Sequence, residues 1–380
     1  MRRGKKQTPA AATASPDADR TAAGAKAGRG AGRQLGWSHG YHLGRCEAIR
    51  AQVRPAVPAM RNLRVLYIPQ GFHAIDHGII GGLQHCVREL IVGTPQQMLS
   101  LAEEKRPDVL LVLNGLHVFP NDQGYQVGRI RELGIRTVIW FVDDPYFTDD
   151  TAAIARFYDV VLTHEQSCVS FYAGAGCRQV GYLPLAADTE LFRPQHSGPE
   201  YRSDICFIGM AFWNRAAFFD RIAPFLATTD FVIAGGLWDR LVQHKLLRHR
   251  IRDGYVPIEE TVKYYSGAKI VINLHRFHSH ETDNRNSRNI PAHSVNPRTY
   301  EMAACGALQL TDGRSDLPRL YVPGQEINVY HSPEDLIAKL KYYLSHESER
   351  QAIAYNALKR TLRDHSFMTR MDELLSMLGY

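Results

Sequence analysis

The stretch that decides the fold is NPRTYEMAACGALQLTD, residues 296–312. It reads as a helix that carries Arg298 and Glu301 three residues apart on one face, stops at Gly306 and feeds a short apolar strand at 307–310. The same unit recurs on both sides. Upstream lie the bounded apolar runs DICFI (204–208), DFVIA (230–234) and KIVIN (269–273), and downstream lies a run at 327–329. Earlier still come RVLYIP (64–69), DVLLVL (108–113), TVIWFV (137–142) and DVVL (159–162). Runs that are short and nearly continuous in apolar content suit parallel strands covered on both faces. Helix-period segments at 79–91, 95–105, 122–133, 151–158 and 165–173 separate the first set, which is the βαβα order of a parallel sheet.

Between the two sets stands FRPQHSGPEY (192–201), whose prolines, Gly and Ser mark the best linker in the chain. The expected architecture is α/β: two tandem Rossmann-like, doubly wound domains at 36–195 and 196–350, facing a central cleft, with C-terminal helices at 351–380 packing back. In such folds a ligand lies in the crevice at the carboxyl ends of the strands.

Charge is unevenly placed. The 380 residues hold 45 Lys and Arg against 39 Asp and Glu, a net of +6. Residues 1–35 contain eight basic and two acidic residues, so the remaining body carries 37 of each sign and is neutral. A general nucleic-acid binder is thereby disfavoured, since phosphate attraction must come from placed residues. The first 35 residues, small and basic with no aromatic, read as a disordered tail with at most a weak anionic-surface role. No run approaches the length needed to span a bilayer. Six scattered cysteines without C-x2-C pairs indicate neither a disulfide framework nor a zinc ribbon, and the expected compartment is the cytoplasm.

Several residues stand where such folds keep their chemistry. The first strand runs into Asp76, His77 and Gly78, then Gly81 and Gly82. A Gly-rich turn opening a helix can bind an anion, and Asp76 or His77 can act as base or orienter, though a purely structural turn fits as well. The third strand ends in the adjacent carboxylates Asp143 and Asp144, one of which is expected to have a raised pKa if desolvated; a helix cap before Pro145 is the plain alternative. In the second half, Gly209 admits a ligand to the backbone and Arg215 is a candidate diphosphate clamp. The segment 274–293 holds four histidines and three arginines. Metal ligation by His275, His278 and His280 is conceivable, but a basic loop closing over an anion fits its composition better. Glu301 can accept hydrogen bonds from a ribose while Arg298 neutralises phosphate; an internal ion pair between the two is the alternative.

The passages WFVDDPYF (140–147), DICFIGMAFWNR (204–215), NPRTYEMAACGALQLTD (296–312), and the longer stretches 158–194 and 331–358 together resemble the CgeB-like, YkvP-type (spore maturation) glycosyltransferase family. That resemblance implies the GT-B architecture, with an acceptor-side first domain and a nucleotide-sugar-binding second domain. More distantly, YEMAACGALQL is similar to the ribose-binding motif of the large retaining GT-B family, in which a Glu precedes a C-G pair by four residues. The resemblance carries the ribose role onto Glu301. Where that family has a second Glu eight residues earlier, this chain has His293, taken here as the corresponding donor-side position.

These readings imply a metal-independent, hexosyltransferase-like enzyme with no cofactor, moving a sugar from a nucleotide diphosphate sugar to an unidentified acceptor. Arg215 and Arg298 would hold the diphosphate, Gly81 and Gly82 would complete the anion site, and Asp76, His77, Asp143 or Asp144 would serve the acceptor. The alternative is a noncatalytic sugar-nucleotide-binding or cell-surface or spore assembly protein of the same fold, which the departure at His293 favours.

Overall fold

The computed structural model describes residues 16–279 and 283–380, so His280 and the first 15 residues of the expected tail lie outside the described residues. Six strands form the first sheet: β1 Arg61–Ile68, β2 Val87–Val92, β3 Val109–Leu113, β4 Arg136–Phe141, β5 Val160–Thr163 and β6 Gln179–Tyr182. Six more form the second: β7 Ser203–Ile208, β8 Phe231–Gly235, β9 Ile251–Asp253, β10 Ala268–Asn273, β11 Leu308–Asp312 and β12 Asn328–Tyr330. The orders are β2-β1-β3-β4-β5-β6 and β12-β11-β10-β7-β8-β9. Every pairing is parallel, for example Val65 opposite Val109 and Ile270 opposite Leu308.

This is the expected pair of doubly wound Rossmann-like domains. The order reverses between β1 and β3 in one sheet and between β7 and β10 in the other. Crossovers leave on opposite faces at those points, so a crevice opens at the strands' carboxyl ends. Side-chain alternation explains the burial. Val65 and Tyr67 enter one apolar core while Leu66 and Ile68 enter another on the opposite face, so both faces of β1 are covered.

Three strands differ from the sequence reading. The helix expected at 79–91 is His73–Cys86, and its last residues belong instead to the edge strand β2. β6 and β9 are short and half-exposed, so neither carries the apolar run by which buried strands are read. A helix begins at Pro16, inside the stretch read as a tail, and runs to Gln52. Its Ala, Arg and Lys content favours helix locally, whereas a tail reading weighs only what a segment can bury. Residues to Arg45 form one unit and Cys46–Tyr380 the other. Within the second unit, Cys46 and Ile49 are buried with Leu358 and Leu362. Among the described residues no helix is long and apolar enough to cross a membrane.

The C-terminal helices are Pro333–Ser345, Glu347–Asp364 and Phe367–Met377. The last returns to the first domain and lies along the helix His73–Cys86. A Cβ on Gly78 would stand 2.1 Å from the Phe367 ring, and one on Gly82 would stand 2.6 Å from the Phe367 carbonyl oxygen. The glycines read from sequence as an anion-binding turn are therefore in mid-helix, where Gly78 and Gly82 let a second helix approach. Gly81 points away from that packing and has no neighbour within 4 Å of an added Cβ.

Candidate active site

A cleft of about 430 Å³ lies between the domains at the strands' carboxyl ends. Its second-domain wall starts from the helix Pro297–Ala304. Asn296 caps that helix by accepting the N–H of Thr299 at 3.1 Å, and Pro297 occupies the first turn, where no donor is required. Arg298 and Glu301 follow within one turn, and both line the cleft. Among the described residues neither side chain makes a hydrogen bond or an ion pair, so the internal Arg298–Glu301 pair is not formed. Glu301 is only 8% exposed, and burial pushes its carboxyl up to about 7, with Arg298 acting against the rise.

The cap is held from behind. His275 Nε2 accepts the N–H of Asn296 at 3.0 Å, so its proton is on Nδ1, which meets Asp312 Oδ1 at 2.6 Å. Burial lowers the His275 pKa, in keeping with a neutral ring. Both nitrogens of His275 are thus committed to the scaffold, which removes it from the metal set considered above.

Arg215 lies in the first turn of the helix Trp213–Leu226 and is 3% exposed. Its Nε donates to the Leu274 carbonyl at 2.8 Å and its Nη1 to the Met210 carbonyl at 3.0 Å. The guanidinium carbon stands 5.1 Å from the Phe212 ring centroid. Burial, with Arg298 nearby, brings its pKa down to about 9, so it remains a cation at neutral pH. Arg276 adds a third cation, held over the rings of Phe212 and Tyr146 at 4.3 and 4.5 Å.

The first-domain wall comes from the ends of β4 and β5 and the start of the helix His73–Cys86. Asp143 is half-buried and its carboxylate makes no hydrogen bond among the described residues; burial raises its pKa to about 6, against the pull of Arg276. Asp144 is buried and accepts from Thr163 Oγ1 at 2.7 Å and from Tyr172 Oη at 2.8 Å. Burial raises it to about 7 despite those bonds, with Glu165 and Asp143 adding to the rise. Both neighbouring carboxylates are perturbed, where the sequence suggested one.

Other expected site residues lie elsewhere. Asp76 is buried, with its carboxylate accepting from Tyr67 Oη at 2.6 Å and from the N–H of Gly71 at 2.9 Å, and it is not part of the cleft wall. His77 is exposed and meets Asp188 at 2.5 Å. The peptide groups of Gly209 are taken: its N–H donates to Ala234 and its carbonyl accepts from Trp238 Nε1 at 3.0 Å. A Cβ on Gly235 would come within 2.2 Å of that same carbonyl, so the close approach joins two strands, not backbone and ligand. Gly81 and Gly82 are absent from the wall. His293 exposes its side chain and contributes only its backbone, which is bound to Glu165.

Two wall residues were not read from sequence. Glu165 stands two residues after the end of β5, caps the helix Gln166–Gly174 and reaches across to the second domain. His164, beside it, is 5% exposed. The segment after β10 crosses the cleft as well: Arg285 N–H donates to the Tyr146 carbonyl at 2.7 Å, and its guanidinium pairs with Asp150. Of the described basic residues in that loop, only Arg276 lines the cleft.

Residues 215–376 match a family described as glycosyl transferase-like. The spore protein CgeB of Bacillus subtilis (strain 168) is 31% identical over 325 residues, covering 83% of this chain and 98% of that protein. Among solved structures, Anabaena HepE in complex with UDP and glucose superposes with a TM-score of 0.56 at 12% identity, over 84% of this chain and all of that one. Sucrose-phosphate synthase of Thermosynechococcus elongatus superposes with a TM-score of 0.55 at 10% identity, over 83% of this chain and 99% of that one. The chain is therefore a member of the CgeB-like family, built on the GT-B fold of two facing Rossmann-like domains.

Proposed function

We propose that the protein transfers a hexose from a nucleotide diphosphate sugar to an acceptor hydroxyl, with arginines in place of a metal ion balancing the diphosphate. The observation that carries this reading is the pair Arg298 and Glu301, one helical turn apart on the cleft wall and without hydrogen-bond or ion-pair partners among the described residues. Partly buried charges left unpaired are costly, and a ligand bearing both hydroxyls and phosphates would satisfy the two at once. Glu301 would accept from ribose hydroxyls. Arg298 and Arg215 would hold the diphosphate, with the Arg215 guanidinium already fixed by two carbonyls. The complex of HepE with UDP and glucose supports a uridine diphosphate hexose as the donor class.

In the transfer, the acceptor oxygen bonds to the anomeric carbon as the bond from that carbon to the phosphate oxygen breaks. The diphosphate leaves with the electron pair, and the acceptor's proton passes to a base. Asp143 is the group open to that proton: its carboxylate is unbonded among the described residues and its pKa is raised to about 6, whereas Asp144 is tied to Thr163 and Tyr172. Arginines aimed at the leaving diphosphate meet the main electrostatic demand. Asp76, His77, Gly81, Gly82, Gly209 and the His293 side chain are left out of this scheme because the structure commits or directs them elsewhere. A reducing cytoplasm is the location that goes with this reading, in keeping with six cysteines that form no disulfide among the described residues.

The test is an assay of the full chain on a panel of nucleotide sugars, reading release of the nucleoside diphosphate with and without a chelator. One donor is expected to be turned over, chelator should leave the rate unchanged, and Asp143→Asn should cut it by about a hundredfold or more. Nucleotide binding without turnover of any donor would favour the noncatalytic binding protein instead.

A further inference from the structure

The charges of the cleft are segregated by domain. Its three arginines, Arg215, Arg276 and Arg298, all belong to the second domain, whereas the first-domain wall supplies Asp143, Asp144 and Glu165 and, among the described residues, no Lys or Arg. The helix His73–Cys86 begins on this wall, and the positive end of a helix can attract an anion. Here, however, Asp76 in its first turn accepts the N–H groups of Gln70 and Gly71 and sets a carboxylate against that end.

The wall is also built of acceptors. His164 Nε2 lies 2.9 Å from the carbonyl oxygen of Asp144, which can only accept, so the ring proton is on Nε2. Its Nδ1 is then a lone pair, and it is buried without a partner among the described residues. Burial lowers the His164 pKa and keeps the ring neutral. The Asp143 carboxylate beside it is likewise unbonded. Phosphate needs donors and positive charge, and on this wall the carboxylates Asp143, Asp144 and Glu165 outnumber the one further imidazole, His73. A sugar hydroxyl is a donor that such groups can satisfy, and the rings of Phe72 and Tyr146 on the same wall suit the C–H face of a sugar.

We propose, resting on the transferase reading, that the acceptor held on the first-domain wall is an uncharged, polyhydroxylated sugar with no phosphate or carboxylate near the reacting hydroxyl, recognised through Asp143 and His164.

The test is ligand-observed NMR on the full chain with the methyl glycosides of glucose, galactose and mannose and with the 6-phosphates of the same sugars, beside titration of nucleoside diphosphates into the same sample. At least one neutral glycoside is expected to bind about tenfold or more tightly than its phosphate, since like charges placed together disfavour a partner. Asp143→Lys should narrow or reverse that preference. Equal or tighter binding of the phosphates to the parent chain would overturn the proposal. So would nucleotide binding with no response to any neutral sugar. Failure of every nucleoside diphosphate to bind would sink the transferase reading separately, while the sugar comparison would still decide the chemistry of the wall.

Discussion

The carboxylate of Glu165, in the first domain, accepts the backbone N–H of Ser294 at 2.9 Å and of His293 at 3.0 Å, both in the second. Two residues further on, Asn296 caps the helix that carries Arg298 and Glu301. One buried side chain thus fixes where the proposed donor-binding groups stand relative to Asp143. A second strap runs beside it, in which Ser287 donates to Asp149 and the Asp149 N–H donates to the Arg285 carbonyl at 3.0 Å.

Removing the Glu165 carboxylate strands buried N–H groups at the domain junction. We expect Glu165→Ala to lose about 2–4 kcal/mol of stability, because unmade bonds to a buried charged acceptor cost more than an average hydrogen bond. Hydrogen exchange should show the amides of His293 and Ser294 losing protection while β3 and β10 keep theirs. Unchanged exchange at those two amides would mean that the bridge does not hold the domains together.

Among the described residues Arg298 makes no hydrogen bond or ion pair, and its one favourable role in the fold is the charge it sets against buried Glu301. Arg298→Ala should weaken nucleoside diphosphate binding by about 10- to 100-fold, the range for one or two charge-assisted hydrogen bonds, and lower stability by no more than about 1 kcal/mol. A drop in stability with unaltered affinity would assign Arg298 to the scaffold.

The pKa of Glu301 is raised in the folded state, so folding takes up a proton between its ordinary value of 4.5 and about 7. The stability due to this group is therefore present at low pH and is lost as pH rises through about 7. Glu301→Gln, which stays neutral, should be more stable relative to the parent at pH 8 than at pH 5, by something on the order of 2–3 kcal/mol. Denaturant titrations at the two pH values read the difference directly, and parallel pH profiles would contradict it.

Gly81 and Gly82 of the helix His73–Cys86 should respond in opposite ways. Gly82→Ala would drive a methyl group against the Phe367 backbone and should cost about 1–3 kcal/mol despite alanine's better helix propensity. At Gly81, where nothing obstructs, the same change should stabilise by about 0.5–1 kcal/mol. Neither should alter nucleotide affinity. Weaker nucleotide binding in Gly81→Ala would restore the anion-site reading of this segment.

Much of the fold was legible because nine strands are bounded apolar runs, and parallel sheets bury both faces. β2, β6 and β9 escaped because edge strands need only one covered face, and VRELIV satisfies a helical period as well as a strand's. Arg215 could be placed in the cleft because it follows the carboxyl end of β7 by seven residues, and Arg298 and Glu301 because they share one face of the helix that feeds β11, both local relationships. Glu165 could not, since its role depends on residues more than a hundred positions away meeting it across the interface. The glycines at 78, 81 and 82 misled for the same reason. Glycine marks close approach, but sequence does not say whether a phosphate or another helix does the approaching.

If Arg298 and Glu301 hold a nucleotide, calorimetric titration of nucleoside diphosphates into the full chain, Arg298→Ala and Glu301→Ala, each with and without chelator, will register it. One nucleoside diphosphate is expected to bind the parent, indifferent to chelator, and to bind both variants at least about tenfold more weakly. Equal affinity in parent and variants, or binding abolished by the chelator, would contradict it.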